Sequence, residues 1–143
     1  MVRGNSEKQE PWRIGINKPT DDSLNTSQEL QDVVNVSDIA MATSGNYRNF
    51  YYKNGKKYAH TIDPKTGYPV QHNILSATVL AKDCAAADAY ATSFRVMGVD
   101  GAKKVLEKHP ELCAYLIYAD HKGNNRIWYS PSLKKILEPQ SSK

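Results

Sequence analysis

Ile74-Leu75-Ser76-Ala77-Thr78-Val79-Leu80-Ala81, Lys82-Asp83, then Cys84-Ala85-Ala86-Ala87-Asp88-Ala89-Tyr90-Ala91-Thr92-Ser93-Phe94-Arg95-Val96-Met97-Gly98 is the stretch that decides the fold. Ile74–Ala81 is a short, nearly continuous apolar run and reads as a buried strand. Asp83 suits an N-cap, because its carboxylate accepts the otherwise orphaned amides of a first helical turn. Five alanines follow (Ala85, Ala86, Ala87, Ala89 and Ala91) and predict a helix through Met97 that Gly98 stops. A second helix is predicted from Asp100 to His109, ended by Pro110, whose ring cannot continue it.

Outward from this centre the pattern turns to strands. Cys113–Ala119 is apolar, Asp120–Asn125 reads as a turn, and Arg126–Tyr129 reads as a partner strand. Upstream, Trp12–Ile16 alternates, Asn17–Gln31 is polar loop, and Val33, Val34 and Val36 suggest a strand followed by Ile39–Thr43. Ser44-Gly45-Asn46 is a turn signal. Tyr47–Lys53 and Lys56–Ile62 flank Asn54-Gly55, a strong hairpin signal because both turn positions need positive φ. Asp63-Pro64-Lys65-Thr66-Gly67 has the composition of a tight turn. Strands in hairpins with two consecutive helices inserted point to an α+β fold, an antiparallel sheet with both helices packed on it. Residues 1–11 are expected to fray, 12–138 to form one domain, and 139–143 to be a loose tail.

Composition bounds the function. The 143 residues (16.0 kDa) are 40% hydrophobic, which excludes a wholly disordered chain. No apolar run approaches the ~18 residues of a membrane helix, and Met1–Ser6 carries no apolar signal core. Cys84 and Cys113 make neither a disulfide framework nor a zinc set. The net charge of +4 is confined to residues 44–67, where Arg48, Lys53, Lys56, Lys57 and Lys65 face Asp63 alone; the remainder is neutral. Tyr47, Tyr51, Tyr52 and Tyr58 share that stretch, so it is either a patch for phosphates and flat rings or a solvated hairpin. With the rest neutral, no nucleic-acid partner is expected.

Asp88 and Thr92 are four apart and share a helical face, with Arg95 three further along on that side. A carboxylate and a hydroxyl are hard oxygen donors, suited to Mg²⁺, which takes one or two carboxylates and keeps water or phosphate in its remaining positions. The ordinary alternative is a threonine bonded back to its own helix. His60, at the end of a hairpin strand, is either a proton-transfer group or a half-buried strand histidine. His72, His109 and His121 read as solvent-exposed. No glycine-rich phosphate loop occurs.

Thr43-Ser44-Gly45-Asn46-Tyr47, His60-Thr61-Ile62-Asp63-Pro64-Lys65-Thr66-Gly67-Tyr68-Pro69 and Ala87-Asp88-Ala89-Tyr90-Ala91-Thr92 occur in that order. Together they resemble the C-terminal half of the ApbE-type FAD:protein FMN transferases, from about Trp12 to Trp128. The resemblance implies a Mg²⁺-dependent enzyme that cleaves FAD at its diphosphate, releases AMP and attaches FMN to a Thr or Ser of a target flavoprotein. It implies Asp88 and Thr92 as metal ligands, His60 as the base on the acceptor hydroxyl, and Ala59 as main chain lining the flavin. The Thr66–Pro69 turn would support the site without a catalytic role.

The implied partners are FAD and a flavin-acceptor protein such as a subunit of a membrane redox pump. The implied location is the periplasm or cell envelope, with membrane contact only through the lipid anchor of the family's N-terminal part. Asn46 stands where the family commonly has Asp, and Met1 where it has Gly-Gly. The family's N-terminal FAD-binding segments and a backbone metal ligand have no counterpart in these residues, so a catalytic-half fragment with little activity by itself is expected. The alternatives are a Mg²⁺-dependent FAD pyrophosphatase, which shares the same site, and a non-catalytic flavin-binding module.

Overall fold

Small side chains dominate the contact on which the fold is built. In a computed structural model, which describes residues 1–19, 30–45, 62–68 and 73–138, and 50–53 and 56–59 by backbone alone, the strand of Ile74–Ala81 lies beneath the helical stretch Cys84–Lys108. Ala87, Ala91 and Ala102 on the helix and Ala77, Ala81, Ala40 and Ala114 on the sheet are all buried. Alanine on alanine lets the two backbones approach closely, and Phe94, fully buried, fills the space between them.

In chain order the elements are β1 (Trp12–Asn17), β2 (Leu30–Val36), β3 (Ala40–Gly45), β4 (Phe50–Lys53), β5 (Lys56–Ala59), β6 (Ile74–Ala81), α1 (Cys84–Lys108), β7 (Cys113–Ala119), β8 (Asn125–Tyr129) and a short 3₁₀ turn, Leu133–Lys135. All pairings are antiparallel. The main sheet has the order β3-β6-β7-β8, and β1-β2 and β4-β5 are separate two-stranded ribbons.

The main sheet is covered on both faces. Ala114 and Leu116 of β7 face the helix layer, whereas Tyr115 and Ile117 face a second core with Ile16, Val34, Val36 and Leu133. This is the period-two alternation of a strand, and the β1–β2 ribbon supplies the second cover. The C-terminal segment closes that layer: Asn35 N–H donates to the Ile136 carbonyl (2.7 Å) and Glu138 N–H to the Val33 carbonyl (2.9 Å). Arg13 and Glu138 add a two-pronged ion pair across the exposed edge. Tyr115 hydroxyl donates to the Asp32 carboxylate between sheet and ribbon. At the N-terminus, Val2 N–H donates to the Ile39 carbonyl (2.9 Å) and Gly4 N–H to Asp38 Oδ1 (2.8 Å).

The α+β class, the antiparallel sheet and the helices packed on it stand as expected. β6 and β7 occupy their predicted spans. The helical stretch breaks at Gly98 (φ 76°, ψ 177°), where two helices meet across a kink, so its two arms are the two consecutive helices of the sequence. Local readings differ at strand ends: Asn17, Leu30 and Gln31, read as loop, belong to β1 and β2. Ser44 and Gly45, read as a turn, extend β3 opposite Ala77 and Ser76, because the ladder to β6 satisfies their backbone better than a turn would. β5 is described from Lys56 to Ala59; His60 and Thr61, which complete the expected span to Ile62, lie outside the described residues. Asn46, the Asn54-Gly55 turn and His60 lie outside the described residues, as do 20–29.

Candidate functional site

Asp83 begins the element that carries the site. Its Oδ1 accepts the Ala86 amide at 2.8 Å, which fixes where the helix starts and therefore which residues face outward. With Ala87 and Ala91 buried against the sheet, Asp88 and Thr92 fall on the exposed flank. Both line an open cleft of about 790 Å³ whose other wall is the turn Ile62-Asp63-Pro64-Lys65. Met97 closes one end of it.

Three hydrogen bonds make that opposing turn rigid. Asp63 N–H donates to the Tyr68 carbonyl (2.9 Å), Gly67 N–H to the Asp63 carbonyl (2.8 Å), and Lys65 N–H to Asp63 Oδ1 (2.8 Å). Gly67, at φ 71°, takes the left-handed conformation the turn requires. Its predicted turn composition is thus realised, and it brings Asp63 and Lys65 across from Asp88.

The expected ligand pair is accessible. Among the described residues neither the Asp88 carboxylate nor the Thr92 hydroxyl makes a hydrogen bond or ion pair. Thr92 is therefore not bonded back to its own helix. The pair fits Mg²⁺ in chemistry: two hard oxygens, open to solvent, with room for water and phosphate beside them. Among the described residues no three His, Cys, Asp or Glu gather into a closed protein cage.

Arg95 departs from its expected place. It is 3% exposed and donates from Nη1 to Ser44 Oγ of β3 at 3.2 Å. At 3.6 residues per turn it lies about 20° from Asp88 on the core side, and about two turns further along, where the end of β3 covers the helix. Burial lowers its pKa, and its Nε is a buried nitrogen without a partner. Arg95 thus ties the helix to the strand that ends in the Thr43-Ser44-Gly45 motif, while Thr43 Oγ1 pairs with Thr78 Oγ1 at 2.8 Å across β3 and β6.

Ala59 is the last residue of β5, opposite Phe50, and His60 follows it outside the described residues. Of the other histidines, His121 is exposed as expected. His109 is half-buried instead: its Nδ1 meets Glu111 Oε1 at 3.1 Å and its ring lies 5.9 Å from that of Tyr90. The sequence reading passed over Lys65 and Asp63 as site residues. The signal for them was position, since they sit in a stiff Asp-Pro turn three to five residues after the candidate base His60.

A helix layer on an antiparallel sheet agrees with comparison to known proteins. The sequence profile of the ApbE family matches residues 1–117, and the chain belongs to the ApbE family. It is 39% identical over 136 residues to a protein of Escherichia coli K12 named FAD:protein FMN transferase, covering 94% of this chain and 37% of that one. It is 41% identical over 122 residues to the protein of the same name from Haemophilus influenzae, covering 85% and 34% of the two. Among solved structures, the ApbE protein of Thermotoga maritima superposes with a TM-score of 0.75 at 29% identity, covering 93% of this chain and 40% of that one. The flavin transferase ApbE of Vibrio cholerae superposes at 0.74 with 34% identity and the same coverage. The chain spans a little over a third of the length of the curated relatives it matches.

Proposed function

We propose that the chain carries the metal-binding and phosphate-handling part of an FAD:protein FMN transferase. The observation that carries this is the pairing of Asp88 and Thr92, unbonded and exposed, on the wall of one open cleft. Family membership and the names of the relatives support flavin transfer as the reaction.

In this reading Asp88 and Thr92 hold a Mg²⁺ ion. Bound there, the ion supplies charge neutralisation to the diphosphate of FAD. The rest falls to the chain's own groups. The main chain at Ala59 lines the flavin and orients it, and the cleft excludes part of the surrounding water. His60 accepts the proton of a Thr or Ser hydroxyl on the acceptor protein. The acceptor oxygen forms a bond to the FMN phosphorus, the P–O–P bridge breaks, and AMP leaves with the bridging oxygen. Phosphoryl transfer depends on position and charge more than on covalent assistance, so a metal pair and one base suffice in kind.

The test uses FAD, MgCl₂ and an acceptor flavoprotein bearing the target threonine, with FMN on the protein and released AMP as readouts. Asp88→Ala is expected to remove most Mg²⁺-dependent turnover. His60→Ala is expected to slow transfer by about 10²–10⁴-fold, the usual loss for a general base, with FAD affinity retained. Free FMN in place of the flavinylated acceptor would make the chain a pyrophosphatase. Mg²⁺-dependent binding and turnover unchanged in Asp88→Ala would overturn the assignment of the metal pair.

A further inference from the structure

We infer that Lys65 is a phosphate-positioning residue of the cleft, its ammonium taking a non-bridging diphosphate oxygen of the bound dinucleotide. The inference rests on the FAD reading above and extends it to a residue on the opposite wall. Lys65 lines the same cleft as Asp88 and Thr92. Among the described residues its ammonium is in no ion pair, so it is available to a ligand.

Its placement is built rather than incidental. Pro64 presets the backbone before it, its own amide is held by Asp63 Oδ1, and the turn is closed by the Asp63–Gly67 and Asp63–Tyr68 bonds. The root of the side chain is therefore fixed while its tip can search the cleft. A lysine suits this task, because its point charge on a flexible stem does not need the fixed bidentate geometry of a guanidinium.

Charge favours such a group on the wall opposite the metal pair. Asp63 and Asp88 give the cleft two carboxylates, and Lys65 is the cation among the described residues that line it. A diphosphate carries further negative charge and would be repelled by carboxylates alone. Ile62, Pro64 and Met97 form apolar parts of the wall, against which the lysine stem can lie while its ammonium stays at the polar part of the cleft.

The experiment titrates FAD into the 143-residue chain, following flavin fluorescence anisotropy with and without MgCl₂, for wild type, Lys65→Gln, Lys65→Arg and Asp88→Ala, with thermal melting recorded for each. The expected result is a Kd for FAD at least about tenfold higher in Lys65→Gln, as for loss of one charge-assisted hydrogen bond, recovered to within about threefold in Lys65→Arg, with Tm unchanged. Wild-type affinity in Lys65→Gln, alongside weakened Mg²⁺-dependent binding in Asp88→Ala, would overturn the role of Lys65 and leave the FAD reading standing. Weakened binding with a lowered Tm, or without rescue by arginine, would make Lys65 structural and overturn the inference. Absence of FAD binding by the wild-type chain, with and without MgCl₂, would overturn the inference, since Lys65 would then hold no diphosphate in this chain.

Discussion

Asp120 shows how one carboxylate organises a loop. Its Oδ1 accepts the amides of Lys122 and Asn124, each at 2.9 Å, and its Oδ2 accepts Arg126 Nε at 3.0 Å. These bonds, the Asn124 amide foremost, favour the charged form and push its pKa down to about 2. Since the folded value lies below the unfolded one, the contribution is complete above about pH 4 and is lost as pH falls toward 2. NMR titration is expected to give a midpoint near 2 for Asp120, with faster amide exchange at Lys122 and Asn124 below it. A midpoint near the ordinary aspartate value would contradict the bonding. At this scale residue type was informative where bonding is local, as with Asp83 as cap and Asp63 in its turn. Arg95 was misjudged because its surroundings are set by β3, fifty residues earlier in the chain.

The helical element is where conformation and function meet. Gly98, at φ 76° and ψ 177°, occupies a region essentially reserved for glycine, and it separates the arm bearing Asp88 and Thr92 from the arm bearing Ala102 and Leu106. Gly98→Ala is expected to cost about 1–3 kcal/mol of stability through backbone strain, measured by urea denaturation. A neutral result would show that the kink relaxes at no cost. The break itself was legible in sequence, since a glycine after an alanine-rich run is a stop signal. The second arm was legible as well, as the helix expected from Asp100 to His109; that it follows with no intervening loop was not, because only the sheet beneath, which buries Ala91 and Ala102 together, holds the two arms end to end.

Three layers set the behaviour of the whole molecule. Leu116 and Ile117 are neighbours on β7, nearly fully buried, and lie in opposite cores. Leu116→Ala and Ile117→Ala are each expected to destabilise by about 2–5 kcal/mol, checked by denaturant titration. Were the sheet covered on one face only, one of the two substitutions would be nearly neutral. The apolar run of β7 was legible as a strand, and an unbroken apolar run is what burial on both faces asks for. Which segments provide the second cover was not written locally: β1, β2 and the C-terminal Ile136–Glu138 come from the two ends of the described chain and meet by long-range pairing.

What the sequence determined by itself was local. The strands at β6 and β7, the capped and broken helix, and the pairing of Asp88 with Thr92 follow from spacing along a single element, where backbone geometry alone relates the residues. The tertiary structure alone decided that the Asp63–Lys65 turn stands across a cleft from that pair, that Arg95 is drawn under β3, and that the β1–β2 ribbon covers the second face of the main sheet. Those relations join residues far apart in the chain, and no near-neighbour preference can specify them; the buried cores of the sheet hold the elements that carry them.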